Sequence, residues 1–187
     1  MDSGSRYTEE EMNLLAHTPH FIGAAMAFAG NSGLFGTGKE MFTSAKSIMS
    51  GIKEYPNNAL IQSVLPRMTE SASDAMEKFK SLRNWGRDRL QAKDVNSVEA
   101  YKNAALEDVQ SVAYLLAAKS SGQEADEYKQ WALSIAEKVA MATTEGSFLG
   151  FGGERFSENE KQFLNQLENA FHIKSRLASN DYANSSL

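Results

Sequence analysis

Hydrophobic positions recur at spacings of three and four along nearly the whole chain, and nowhere do they alternate with period two for long. That pattern predicts an all-α protein. Thr8 is followed by three glutamates, with Glu11 three residues on, which predicts a capping-box helix start with acid in its first turn. This helix carries Met12, Leu14 and Leu15 and is expected to break at Thr18-Pro19. Thr18 would then cap a second segment with Pro19 at its first position. That segment, "PHFIGAAMAFAG", is apolar on nearly every side and predicts a buried central helix. Its small residues Gly23, Ala24, Ala25 and Ala27 would let neighbouring helices approach closely.

Further helices are expected over 39–53, with Met41, Phe42, Ala45, Ile48, Met49 and Ile52 on one face, and over 58–65, ended by Pro66. Another covers 72–90, with Gly86 weakening its end. Ser97 opens a long helix to about Lys119, and "SSGQ" separates it from one over 124–144 that carries Tyr128, Trp131, Ile135 and Val139. Ser157 with Glu160 is a second capping box, opening a last helix with Phe163, Leu164, Leu167 and Phe171. The expected fold is one domain over 1–187, a helical bundle of about six helices. Its core covers about 8–173, and the tail 174–187 frays.

Composition narrows the function. The 187 residues include three Pro and no Cys, with 42% hydrophobic residues and a formal charge of -5. A core is affordable, helix is favoured, and disulfides, thiolate metal sites and Cys nucleophiles are excluded. Net negative charge argues against a surface built for nucleic acid. The polar, acidic N-terminus "MDSGSRYTEEEM" lacks the features of a secretion signal, and the uncharged run 21–38 is too rich in Gly, Ser and Asn to span a bilayer. A cytoplasmic protein, away from membranes, is expected.

"GLFGTGKE" spells most of a phosphate-binding P-loop through Gly33, Gly38 and Lys39. A P-loop needs a buried strand before it and Ser or Thr after the Lys to hold magnesium. Here the preceding residues are helical and Glu40 follows. The stretch "AMAFAGNSGLFGTG" from Ala25 also resembles "AMATTEGSFLGFGG" from Ala140, which has no equivalent Lys. The expectation is therefore a pair of structural Gly-rich turns, at Gly33, Gly36 and Gly38 and at Gly150, Gly152 and Gly153. Leu34, Phe35, Phe148, Leu149 and Phe151 would pin them to the core. Helix, turn and helix would recur as an internal pseudo-repeat, leaving anion binding at the following helix start as the other reading.

"EGSFLGFGGERFSENEKQFL", together with "SGLFGTGKE", resembles a widespread bacterial family of all-helical proteins in which an "EGGFLGFGG" run precedes a Ser-x-x-Glu helix start. The resemblance covers about 8–171 and implies an all-helical fold without an assigned activity. More distantly, "GGERFSENE" is similar to the turn of TerB-like tellurite-resistance domains, which place an acid where Gly153 stands. That departure removes the acid through which such a turn would bind metal. The likeness implies, by analogy, a role in stress response.

The other constellations fit ordinary structure better than a site. His17 and His20 flank Pro19 and, with Glu10 or Glu11, are weak metal candidates, because a break at Pro19 would spoil their shared face. No Glu or Asp has His three residues later, so the di-iron bundle pattern is absent, and no Gly-x-Ser-x-Gly elbow exists. Lys78, Lys80, Arg83, Arg87, Arg89 and Lys93 surround Trp85 and read as a solvated basic face with the indole packed inward. Met12, Met26, Met41, Met49, Met68, Met76 and Met141 read mostly as core filler, and Tyr128 and Trp131 as core or interface. The sequence thus predicts a non-enzymatic protein with no catalytic residues and no cofactor, acting through protein or ligand contacts or by self-association. The alternative is a metal- or small-molecule-binding protein whose site lies between helices.

Overall fold

A computed structural model describes residues 6–30, 37–66, 70–144 and 156–175. They form seven helices and no strand: α1 (Glu9–Ala29), α2 (Thr37–Glu54), α3 (Ala59–Val64), α4 (Ala72–Ala92), α5 (Val98–Lys119), α6 (Gly122–Thr144) and α7 (Glu158–Phe171). The caps are those the side chains dictate. Thr8 and Ser157 both close capping boxes, the Thr8 amide donating to Glu11 at 2.7 Å and the Ser157 amide to Glu160 at 2.8 Å. Ser71 and Ser97 cap α4 and α5. Asn58 caps α3 through Oδ1, while its Nδ2 donates to the Glu124 carbonyl and to Glu127, fixing this short helix on α6.

One helix organises the rest. α1 packs against all six others, with α2 and α6 paired along one side and α5 and α7 along another. Phe21, Ile22 and Met26 of α1 are fully buried among Leu116 of α5, Tyr128 and Trp131 of α6, and Phe163 and Phe171 of α7. Close approach is built from glycine: a Cβ on Gly23 would overlap Ser44 of α2, and one on Gly51 would overlap the Trp131 indole. The expected break at Thr18-Pro19 does not occur. Pro19 sits inside a continuous α1, and Thr18 back-bonds to the Leu14 carbonyl at 2.8 Å instead of capping a new helix. Pro19 lacks the amide that would bond the Leu15 carbonyl, and the buried Tyr128 hydroxyl donates to that carbonyl at 2.6 Å.

α4 runs through Gly86 to Ala92, close to the expected end, and Gly86 is buried because the imidazole of His17 occupies the place of its missing side chain. Three other expectations are corrected. The folded core begins before Thr8, since Tyr7 is buried and its hydroxyl bonds Ser120 at 2.6 Å. It also extends past 174: Ser175 is fully buried, its amide donating to Glu168 and its hydroxyl to Glu137. Met49, Met76 and Met141 are not core filler but are about half exposed, unlike Met26. Of the six turn glycines, Gly38 falls in the first turn of α2. Gly33, Gly36, Gly150, Gly152 and Gly153 lie outside the described residues, as do Leu34, Phe35, Phe148, Leu149, Phe151 and Met68.

Candidate functional site

α4 is the exception to tight packing. It is 21 residues long yet buries only Gly86, and it lies chiefly on α1. Its apolar residues Met76, Phe79 and Leu82 recur every three positions; Met76 and Phe79 are about half exposed. The basic residues in the same stretch are largely engaged: Lys78 pairs with Glu70 and Arg87 with its neighbour Asp88. Arg89 forks onto Asp108 of α5, at 2.8 Å from Nη2 and 3.1 Å from Nε, and Lys93 reaches the same carboxylate at 3.1 Å. Asp108 is completely buried, so this charge-assisted cluster fixes the C-terminal end of α4. Trp85 is half-buried rather than packed into the core. Its indole N–H donates to Glu10 of α1 at 2.9 Å, and the Arg89 guanidinium stacks 5.4 Å from its ring centre.

Two clefts flank the line where α4 crosses α1. The first, about 390 Å³, is enclosed by α1, α2, the end of α3 and α4, with Met12, Ala16, Ile48, Val64 and Leu82 on its walls. Apolar surface dominates it, and it falls in the size range of small-molecule sites. The second, about 370 Å³, lies between α1, α4 and the start of α5. It is lined by His17, Arg83, Gly86, Arg87 and Tyr101. His20, Phe79 and Leu82 belong to both clefts. His20 and Phe79 meet edge to face at 6.3 Å between ring centres, on the wall between the two.

The unbroken α1 puts His17 and His20 on one face after all, both toward α4. His17 lies edge-on to Trp85 at 5.4 Å and tilted against Phe21 at 5.3 Å. Burial holds its pKa down to about 4, helped by His20 and Arg89 and opposed by Asp108. Burial lowers the His20 pKa as well. Nδ1 of His17 is buried without a hydrogen-bond partner. The third metal candidate is elsewhere: Glu11 bonds Lys119 at 2.7 Å, an interaction that lowers its pKa. Among the described residues no three His, Asp or Glu side chains come together in a way that could hold a metal ion. Tyr101, half-buried in the lining of the second cleft, has its pKa pushed up to about 12 by desolvation, so it serves as a neutral wall. What the arrangement offers is apolar enclosure with a few polar groups at the edges.

The sequence reading missed the clefts. Their signal in the sequence is the apolar pair Phe79 and Leu82, three positions apart within a stretch of six basic residues. No protein-family model, curated protein or solved structure matches the chain. No helix among the described residues is long and apolar enough to cross a membrane.

Proposed function

We propose that this is a non-enzymatic cytoplasmic binding protein that holds an apolar small molecule between α4 and the surface made by α1, α2 and α3. The carrying observation is the first cleft: four helices converge on it, its walls are mainly apolar, and α4 leaves Phe79 half exposed on its wall. A helix with so little buried surface gains stability from whatever fills the space beneath it, because apolar burial is worth about 25 cal/mol per Å². The likeness to TerB-like turns supports a stress-related setting by analogy alone. The metal-binding alternative has less support, since Glu11 is committed to Lys119 and the two histidines stand edge-on to aromatic rings.

The test uses Nile red, a neutral dye whose emission shifts to the blue in apolar surroundings. Saturable binding at one site per chain is expected. Ala45 is exposed on α2 at the mouth of the first cleft, so Ala45→Trp should fill the opening without touching the core and weaken the dye at least tenfold. Unsaturable binding, or binding indifferent to Ala45→Trp, would overturn the reading.

A further inference from the structure

Both clefts are mainly apolar, and they differ in the cations at their edges. The first is walled by aliphatic side chains, and its one lysine, Lys78, is already neutralised by Glu70. The second opens beside Arg83 and Arg87. Arg87 is held by Asp88, with two guanidinium nitrogens 2.9 and 3.1 Å from one carboxylate oxygen. Arg83 is exposed and forms no ion pair with any described residue. His20, Phe79 and Leu82 line both clefts and form a shared wall between them. None of the three forms a hydrogen bond with another, and Phe79, half exposed on a helix surface, has room to change rotamer.

We infer that the clefts are two halves of one elongated site, and that its occupant is an amphipathic monocarboxylate. The aliphatic chain lies between Ile48, Val64 and Leu82, and the carboxylate reaches Arg83. Charge complementarity selects this class. One unpaired guanidinium presents a planar fork that a carboxylate fills bidentately, and one negative charge balances it. A neutral chain would make no use of Arg83, and a second negative charge would meet only Arg87, which Asp88 already holds. This inference rests on the proposed binding function and names the chemistry of its ligand.

Titration calorimetry of the whole chain with dodecanoate and with 1-dodecanol tests it, since the two differ only at the headgroup. Dodecanoate is expected to bind about tenfold more tightly, and Arg83→Ala to erase that preference while leaving dodecanol unchanged. Arg83 is exposed and forms no hydrogen bond or ion pair with a described residue, so circular dichroism and melting of the variant should match the parent. Ala45→Trp should weaken both ligands. Equal affinity for the two, or a preference that survives Arg83→Ala, overturns the carboxylate assignment while leaving the cleft as a binding site. No binding of either overturns both the assignment and the function it rests on.

Discussion

The hydroxyl of Tyr128 on α6 takes the place of a backbone amide in α1: it donates at 2.6 Å to the Leu15 carbonyl, the one that Pro19 leaves without an intrahelical partner. This bond ties the central helix to α6 at its weakest turn. Both groups are buried, so losing the hydroxyl strands a carbonyl away from water. Tyr128→Phe is expected to cost about 1–3 kcal/mol. Pro19→Ala restores an amide four residues after Leu15, and in that background the same Tyr128→Phe change should cost less than half as much. Urea unfolding of the two single variants and the double variant measures the coupling. Additive effects would show that the carbonyl does not depend on Tyr128.

Gly86 and His17 make a second reciprocal pair. A glycine inside a helix ordinarily costs about 1 kcal/mol relative to alanine, so Gly86→Ala should stabilise α4 if propensity ruled. Here the added Cβ would overlap the His17 imidazole, which is held between Phe21 and Trp85. Net destabilisation of about 1–3 kcal/mol is expected from overpacking. With His17→Ala the obstruction is gone and the sign should reverse, Gly86→Ala then adding stability. The same sign in both backgrounds would place α4 farther from α1 than this structure does.

These two pairs mark where sequence reading stops. Caps such as Ser157 with Glu160 were legible because donor and acceptor lie within one turn, and helix extents followed from spacings of three and four. The continuity of α1 through Pro19 is not legible locally, because the partner that rescues Leu15 is 113 residues away. The role of Gly86 lies beyond local pattern too: a helix glycine weakens the helix or accommodates a neighbour, and the position of His17 decides. The burial of α1 was plain from its composition. The clefts were not, because they depend on how far α4 stands off α1. That distance is set jointly by the His17–Gly86 contact and the Asp108 cluster.

Asp108 and Arg89 should respond unequally to mutation. Asp108 is wholly buried, whereas the Arg89 side chain keeps about a quarter of its surface exposed. Arg89→Leu leaves a buried carboxylate with Lys93 as its remaining cation, and should cost about 3 kcal/mol or more. Asp108→Asn removes the charge but keeps an acceptor, and both basic side chains can turn toward water; a cost of about 1–2 kcal/mol is expected. Hydrogen exchange should quicken first at the C-terminal end of α4 in both variants. Equal costs would indicate that Lys93 alone satisfies the carboxylate.

Acid should loosen α4 through His17. Its pKa in the folded protein is near 4, against about 6.5 in an unfolded chain, so the unfolded state takes up the proton first as pH falls. Stability from this residue is therefore complete above about pH 6.5, declines between 6.5 and 4, and stops changing below 4. The shift corresponds to at most about 3 kcal/mol, and less where water reaches the imidazolium. The facing groups are His20 on α1, Arg89 on α4 and Asp108 on α5; His20 and Arg89 depress the pKa further, and Asp108 works against them. His20 shifts in the same direction, through burial, so both imidazoles act together. Since His17 and His20 both face α4, protonation should weaken the α1–α4 contact before the α1–α6 core gives way. NMR titration of the three histidines gives the pKa values directly, and urea midpoints from pH 7.5 to 4 give the stability slope. An imidazole of His17 titrating near 6.5 would mean that water already reaches it beneath α4, and the acid sensitivity would then have another source.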